Sequence, residues 1–447
     1  MLQVFDSTEH IFENGEGAIR APTFIDAFAG CGGLSLGLMQ AGWQGLFAIE
    51  KDSLAFSTLE ANFLSDGARH AYDWPDWLPK EQTGIDDLMK NHSAELDALR
   101  GKVDLLAGGP PCQGFSSAGR RDPNDPRNKL VGAYLELVRR LEPDMVLLEN
   151  VRGITYEFSS ERTGEDRTNY SHKLVETLEQ EYEVFTRLLK ASSFGVPQKR
   201  PRFFMIAFRK GVERSWPKRD PFTYVGTERH TFFQEKGLSA RPTARLAISD
   251  LEVRKNGKKD CPECKGFHAI SYKGKPRTGF QKAMRDGFDG IPSDTRLARH
   301  QPHIVERFKT IIEHCKDIGR LNTAIPKDLR NRYGLKKQAI RVMDPKKPAP
   351  TITSMPDDLI HYDEPRTLTV RENARLQTFP DWFVFKGKYT TGGDRRRREV
   401  PRFTQVANAV PPLLAELIGK CLMDYRPNCD AENTPKECNS LMVIADG

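Results

Sequence analysis

The sequence predicts an α/β fold in which an open, mostly parallel sheet carries helices on both faces. Short apolar segments typical of buried strands alternate along the chain with segments whose apolar residues have helical spacing. The chain has 447 residues, of which 38% are hydrophobic, so it can bury a large core and is long enough for two or three domains. Ligands on such sheets bind beyond the carboxyl ends of the strands, so functional residues are expected there.

The predicted strands are short apolar runs. They cover residues 22–30, 45–52, 103–109, 144–151 and 202–209. The first strand is followed by a predicted helix with apolar residues at 34, 38 and 39, and a second helix starts near residue 130 and stops at Pro143. A last amphipathic helix, with apolar positions spaced by three and four between 410 and 422, is expected to pack back on the first part of the chain.

The composition excludes several classes of protein. The opening residues, MLQVFDSTEH, lack the basic and apolar regions of a secretory signal, and we expect no apolar run to approach the roughly 18 residues that a membrane span needs. The eight cysteines are sparse and irregularly spaced, which argues against a disulfide framework and predicts free thiols. We therefore expect a cytoplasmic protein that does not contact a membrane.

The positive charge is concentrated in one segment. Residues 210–340 hold 29 Lys and Arg against 15 Asp and Glu, whereas the remainder holds 39 against 46. This segment also carries interleaved aromatic residues, among them Trp216, Tyr224, Phe267 and Tyr272. Such a block is typical of a nucleic-acid-binding surface, although a solvated basic surface would have the same composition.

A glycine-rich turn, DAFAGCGGLSLGL, follows the first strand, and Glu50 ends the second strand 20 residues after Gly30. This spacing suits a carboxylate that accepts hydrogen bonds from the ribose of a bound nucleoside. The turn lacks the full Gly-x-Gly-x-x-Gly order and a Walker lysine. By itself it fits a dinucleotide, S-adenosylmethionine or a simple tight turn equally well.

Two further strand ends carry reactive groups. In LLAGGPPCQGFSSAGRR the prolines restrict the backbone before Cys112 and the glycines free it afterwards. Glu149 and Asn150 end the next strand. Each has a simpler explanation, because Cys112 could be a small buried apolar residue and Glu149 a helix cap. Together, a nucleoside pocket, a thiol and an acid at one edge indicate covalent catalysis on an electron-poor ring.

The sequence resembles the DNA cytosine-5 methyltransferases. Six blocks occur in the order typical of that family: DAFAGCGGLSLGLMQAGW, GGPPCQGFS, ENVRG, QKRPRFF, RTLTVRENARLQTFPD and QVANAVPP. They lie in residues 23–209 and about 346–420, around two thirds of the chain. The resemblance implies a Rossmann-like, S-adenosylmethionine-dependent methyltransferase domain with an inserted, smaller DNA-recognition domain.

The resemblance also implies roles for individual residues. The nucleophile would be Cys112, the acid at the target cytosine Glu149, and the groups that hold the base and support the site Arg200 and Arg202. The cofactor S-adenosylmethionine would be held by Phe28, Gly30, Cys31, Gly32, Gly33, Glu50, Pro110, Leu130 and Asn408. The flipped cytosine would also contact Gln113, Ser116 and Asn150. Gly84 stands where family members often have an aspartate that contacts the adenine, so Asp86 is a candidate for that contact.

The expected domain organisation follows from these blocks. Residues 1–209 would form the catalytic and cofactor-binding domain, 210–345 the target-recognition insertion, 346–426 the return to the catalytic domain, and 427–447 a polar tail. The expected substrate is double-stranded DNA, the expected state a monomer, and a cognate restriction endonuclease is a possible companion that does not bind the chain. No metal is expected, because Cys261, Cys264 and His268 do not supply the four ligands of a structural zinc site.

Three other functions remain open at this point. A nicotinamide-dependent oxidoreductase would share the sheet and the spacing from Gly30 to Glu50, but it has no use for the PPCQ and ENV blocks. An RNA cytosine methyltransferase of the same family is closer, although the long insertion suits duplex DNA better. A catalytically silent DNA-binding module is disfavoured, because the nucleophile, the acid and the arginines are all present.

Overall fold

A computed structural model describes residues 20–111, 129–156, 170–214, 220–391 and 399–426. Its centre is a six-stranded sheet in the order β2-β1-β3-β4-β6-β5. The strands are β1 (Thr23–Ala27), β2 (Gln44–Ile49), β3 (Leu105–Gly108), β4 (Met145–Val151), β5 (Tyr182–Lys190) and β6 (Pro201–Arg209). Four of them, β2, β1, β3 and β4, run parallel. The predicted α/β fold with a mostly parallel sheet is confirmed.

Helices cover both faces of this sheet. Those of the first part of the chain are α1 (Gly33–Gln40), α2 (Ser53–Phe63), α3 (Ile85–Asn91), α4 (Ser93–Ala98), α5 (Lys129–Leu141) and α6 (Tyr170–Leu178). The later ones are α7 (Pro221–Glu235), α8 (Ala244–Ile248), α9 (Val253–Asn256), α10 (Gly279–Met284), α11 (Pro302–Asp317), α12 (Lys327–Arg332), α13 (Val370–Leu376), α14 (Arg402–Asn408) and α15 (Pro412–Met423). Two small sheets pair β7 (Lys258–Asp260) with β8 (His268–Ile270) and β9 (Arg341–Val342) with β10 (Leu359–Ile360).

The far edge of the sheet differs from the sequence prediction. β6 pairs antiparallel with β4, and β5, which the strand prediction did not include, pairs antiparallel with β6. The outward residues of β5 are mostly exposed, so it lacks the continuous apolar run that marks the central strands. The antiparallel direction brings the start of β6, rather than its end, to the carboxyl end of β4.

The apolar core has three parts. One large cluster lies on each face of the main sheet, because strand residues alternate between the two faces. A third and separate cluster is built from α11, α12, β9 and β10, with Phe308, Ile311 and Ile325 among its buried residues. Part of the basic segment therefore packs around a core of its own, to which β10 from the following segment also contributes.

The C-terminal helix completes the first βα unit, as the sequence predicts. α15 packs closely on α1, where a side chain at Gly37 would overlap Ala415 and the Pro412 carbonyl. Trp43 Nε1 donates a hydrogen bond to the Gly419 carbonyl at 2.9 Å. The two ends of the described chain therefore share one core.

In the described residues, Arg402–Met423 contains an 18-residue window that is apolar enough to span a membrane, with a mean hydropathy of 1.3. The expectation that no apolar run reaches this length is therefore wrong on length and composition. Its apolar character has another physical reason, because 78% of it is buried inside the protein and it is divided into α14 and α15 near Pro411.

The start of the basic insertion packs on the catalytic side. Lys236, which follows α7, forms a 2.6 Å ion pair with the buried Glu416 of α15, and the Tyr224 hydroxyl donates to Asp424 at 2.6 Å. Phe222 and Phe233 of α7 belong to the same cluster as α1 and α15. The division at residue 210 stays a prediction about function, but in packing terms α7 belongs with the sheet.

Candidate active site

The carboxyl ends of β1, β2, β3 and β4 meet at one edge of the sheet because these strands are parallel. Since β6 is antiparallel to β4 and Arg202 pairs with Val151, the start of β6 reaches the same edge. This edge therefore gathers the glycine-rich turn, Glu50, Pro110, Glu149 and Arg202 from five separate parts of the sequence.

The turn after β1 is shaped around Glu50. Phe28 and Gly30 have positive φ angles of 63° and 58°. The Gly30 N–H donates to Glu50 Oε2 at 2.9 Å, and the Asp52 N–H donates to Oε1 at 2.7 Å. Burial raises the pKa of Glu50, and these two N–H donors oppose the rise.

This turn fits a nucleoside-containing cofactor. A Cβ added at Gly30 would have no neighbour within 4 Å, so there is open space on that side of the turn. Each Glu50 oxygen accepts one backbone hydrogen bond and keeps further acceptor capacity for hydroxyl donors such as those of a ribose. The residues present can therefore hold S-adenosylmethionine.

The other residues of the turn serve packing. A Cβ at Gly32 would overlap the Phe63 ring, and one at Gly33 would lie 2.5 Å from the Val410 carbonyl oxygen. Cys31 is buried, its Sγ lies 3.7 Å from the Gln405 carbonyl oxygen, and burial raises the pKa of its thiol far above the usual range. The predicted cofactor contacts of these three residues remain predictions, and the Cys31 thiol faces the core.

The third strand end leads toward the predicted nucleophile. A Cβ at Gly109 would lie 3.6 Å from Glu149 Oε2, so the backbone before Cys112 passes beside the acid. Asn150 Nδ2 donates to the Pro110 carbonyl oxygen at 3.0 Å and so ties this segment to β4. The predicted residues Cys112, Gln113 and Ser116 lie outside the described residues, whose first segment ends at residue 111.

Glu149 is a buried acid beside two arginines. Burial raises its pKa, whereas the charges of Arg202 and Arg200 lower it. Arg202 Nε lies 3.1 Å from Glu149 Oε1 in an ion pair. Glu149 Oε1 has no hydrogen-bond partner among the described residues, so its contact with Arg202 is an ion pair and not a well-directed hydrogen bond. The carboxyl group is thus oriented by a cation and keeps the capacity to share a proton with a ligand.

Arg200 donates hydrogen bonds to the backbone at the end of α14. Its Nη1 donates to the Ala407 carbonyl at 2.8 Å, and Nη2 donates to those of Ala409 at 3.0 Å and Asn408 at 3.3 Å. Burial lowers the pKa of this guanidinium well below its usual range, and the charge of Arg202 adds to the effect. A supporting role for Arg200 therefore has a visible basis, whereas direct contact with the base stays a prediction.

Three predicted cofactor residues lie around this edge. Asn408 is exposed at the end of α14. Asp86 is exposed in the first turn of α3, just after the Thr83 N–H donates to the Glu50 carbonyl at 2.8 Å. Leu130 is half-buried in the first turn of α5 and packs on the core. Their contacts with a cofactor remain predictions.

Comparison with known proteins identifies the family. The family model described as C-5 cytosine-specific DNA methylase matches residues 22–424. The chain belongs to this family. It is therefore a DNA cytosine-5-methyltransferase, as the six sequence blocks predicted.

Named relatives agree with this assignment to the C-5 cytosine-specific DNA methylase family. Type II methyltransferase M.DdeI of Desulfomicrobium norvegicum is 31% identical over 430 residues, which cover 94% of this chain and 92% of the relative. Type II methyltransferase M1.HphI of Haemophilus parahaemolyticus is 30% identical over 412 residues, covering 91% and 88%. A crystal structure of a candidate DNA modification methyltransferase from an E. coli prophage has a TM-score of 0.58 at 24% identity, covers 91% of this chain and 99% of its own, and supports the fold.

Sequence reasoning missed several buried polar residues of this C-5 cytosine-specific DNA methylase. Asp26 lies at the end of β1 and accepts a 2.5 Å hydrogen bond from Ser35 Oγ. Gln198 and Gln377 are fully buried and joined to each other at 2.7 Å. Within the described ranges no three His, Cys, Asp or Glu side chains are grouped as for a metal ion. The one signal for Asp26 in the sequence was that a charged residue stands inside an apolar segment.

Proposed function

We propose that this enzyme transfers a methyl group from S-adenosylmethionine to carbon 5 of a flipped-out cytosine in one short duplex DNA sequence. The transfer would proceed through a covalent adduct with Cys112. The observation that carries the proposal is the buried Glu149, whose pKa is raised by burial and which lies beside the backbone that leads to Cys112.

The chain's own groups account for the chemistry. Carbon 5 of cytosine is a poor nucleophile. Addition of the Cys112 thiolate would form a bond from Sγ to carbon 6, while Glu149 donates a proton to N3 and electron density moves to carbon 5. After methylation a base would remove the carbon 5 proton, the Sγ–C6 bond would break, and N3 would return its proton. The upward direction of the Glu149 pKa shift supports this role, because burial favours the protonated carboxyl group that can donate.

Membership of the family implies S-adenosylmethionine as the cofactor. When bound, it supplies the electrophilic methyl group that carbon 5 accepts. Glu50 would accept hydrogen bonds from the ribose, the open side of Gly30 would leave room for the cofactor, and Asn408 would close the pocket from the far end of the chain.

The substrate of the family is DNA, and a base within a duplex cannot reach a thiol on a sheet edge. The cytosine must therefore leave the stack. The basic segment 210–345 would hold the duplex through phosphates, and a few of its side chains would read base edges. The half-buried Arg202 would orient Glu149 and stabilise negative charge on the ring oxygen.

The setting follows from the relatives' names. M.DdeI and M1.HphI are named Type II methyltransferases. We infer that this chain likewise modifies DNA, with a cognate restriction endonuclease as a possible companion in the same host. That it does so in the cytoplasm and as a monomer stays a prediction.

Expression in a methylation-free bacterial host tests the proposal. Sequencing that detects 5-methylcytosine should find methylated cytosines in one short sequence context. The Cys112→Ala variant should lose all methylation but bind S-adenosylmethionine within a few fold of the parent enzyme, because the thiol is needed for the covalent step only. Methylation scattered over all cytosines, methylation found in RNA alone, or activity retained by the Cys112 variant would each contradict it.

A further inference from the structure

We propose that Gln377 is a positioning residue for the cofactor. Its buried side-chain amide would hold the end of α14, where Asn408 lies beside the residues that contact the glycine-rich turn. This inference rests on the proposed function, since it assumes that the turn binds S-adenosylmethionine.

Gln377 and Arg200 together donate hydrogen bonds to the backbone carbonyl groups at the end of α14. Gln377 Nε2 donates to the carbonyl oxygens of Val406 and Ala409, both at 2.9 Å. Arg200 donates to those of Ala407, Asn408 and Ala409. The last carbonyl groups of a helix have no partner within the helix, and burying them without one is costly. Four consecutive carbonyls around Asn408 are thus bonded by two side chains.

The orientation of the Gln377 amide is set by Gln198. The Ile352 N–H donates to Gln198 Oε1 at 3.0 Å, which fixes the oxygen side of that amide. Gln198 Nε2 must then face Gln377, and it donates to Gln377 Oε1 at 2.7 Å. Gln377 consequently presents its nitrogen to α14. Only a side chain with both an acceptor and a two-proton donor can join Gln198 to the two carbonyls.

The end of α14 also touches the glycine-rich turn. Cys31 Sγ lies 3.7 Å from the Gln405 carbonyl oxygen, and a Cβ at Gly33 would lie 2.5 Å from that of Val410. A small shift of residues 406–410 would therefore either collide with the turn or open the pocket beside it. Because Gln377 is fully buried, it can act on a ligand only through this backbone.

Titration calorimetry with S-adenosylmethionine tests this role. Gln377→Met removes the amide without burying a charge. We expect the Kd for S-adenosylmethionine to rise about tenfold, which is close to the largest net effect of losing one hydrogen bond. The KM for the cofactor should rise in parallel and kcat should fall much less, because Gln377 is not at the reacting atoms. The double variant Gln377→Met/Asn408→Ala should bind no more weakly than Asn408→Ala alone, since both changes act through Asn408.

The matched control is Asn373→Leu, one turn earlier in α13. Asn373 is also buried, but its Nδ2 donates to the Thr369 carbonyl of the same helix at 3.1 Å, so its Kd should not change. If Gln377→Met does not fold, Gln198→Leu releases the same amide and should weaken binding by a smaller factor.

An unchanged Kd in the folded variant, equal weakening by the Asn373 control, or full additivity with Asn408→Ala would overturn the positioning role. Failure of the unaltered enzyme to bind S-adenosylmethionine would instead contradict the proposed function.

Discussion

At the scale of single residues, Asp26 is an acid that the catalytic proposal does not use. It accepts a hydrogen bond from Ser35 Oγ, which in turn accepts one from the Tyr72 hydroxyl at 2.6 Å. Its other oxygen has no hydrogen-bond partner in the described part of the chain. Burial raises the pKa of Asp26 to about 7, with a smaller contribution from the charge of Glu50. The neutral form of Asp26 is therefore favoured by folding.

This pKa predicts how stability depends on pH. Because the folded pKa lies above the unfolded one, the contribution of Asp26 is complete below about pH 4 and is lost as the pH rises through about 7. Asp26→Asn stays neutral and should remove this loss of stability, which amounts to at most about 4 kcal/mol between about pH 4 and 7. Thermal unfolding of both proteins across this range measures the effect. Parallel pH curves for the two proteins would show that Asp26 does not titrate there.

The sequence predicts the acids of the site better than their supports. Glu50 and Glu149 could be predicted because each directly follows or ends an apolar strand, and strand ends meet at one edge. Gln198 and Gln377 could not, since their partners lie up to 179 residues apart and follow no local period. The partners of Arg200 could not be predicted either, because the three carbonyl groups that accept its hydrogen bonds lie more than 200 residues downstream.

At the scale of elements, the direction of β6 decides which arginines reach the site. A parallel β6 would bring Arg209 to the edge, whereas the antiparallel strand brings Arg202 beside the end of β4. The apolar run of β6 reads the same in either direction, so its periodicity could not predict this. β5 and β6 also run antiparallel, and residues 191–200, which join them, contain one 3-10 turn and no crossover helix.

The contact between α1 and α15 depends on a helix position without a side chain. A Cβ at Gly37 would lie 2.7 Å from the Glu416 backbone nitrogen and would overlap Ala415. Gly37→Ala should therefore destabilise the protein by about 1–3 kcal/mol through overpacking. Gly132, within α5, has nothing within 4 Å of its added Cβ, so Gly132→Ala should stabilise by about 0.5–1 kcal/mol. Urea unfolding of the two variants should shift in opposite directions, and a shift of the same sign would contradict this packing.

At the scale of the whole molecule, the insertion is bound to the catalytic part by buried charges. Arg375 in α13 contacts Asp250 of the insertion at 3.1 Å, and Arg402 in α14 contacts Asp294 at 2.8 Å. All four residues are buried. Arg375 also pairs with Asp381 and Arg402 with Glu263, so loss of Asp250 or Asp294 removes one of two carboxylate partners from its arginine. In the proposed division of the chain, Asp250 and Asp294 therefore serve the catalytic scaffold rather than DNA recognition.

A graft of another member's recognition region between Arg209 and Lys346 should transfer its target sequence only under one condition. The grafted segment must supply carboxylates at the positions of Asp250 and Asp294. Without them we expect a loss of roughly 1.5–3 kcal/mol for each pair, because the arginine loses one charged hydrogen-bond partner. Melting temperatures and methylation-sensitive sequencing of matched grafts, with Asp or Asn at these positions, measure both effects. Equal stability of the Asp and Asn grafts would contradict the structural role of these pairs.

The packing of α14 and α15 on the first βα unit also sets when the enzyme can become active. Cys31 and Gln405 are 374 residues apart, and Trp43 and Gly419 are 376. At roughly 5–20 residues per second, a ribosome needs on the order of 20–75 s to add that length. Until then the glycine-rich turn lacks its packing partners from α14 and α15, so we expect a nascent chain to be unable to methylate DNA for most of its synthesis.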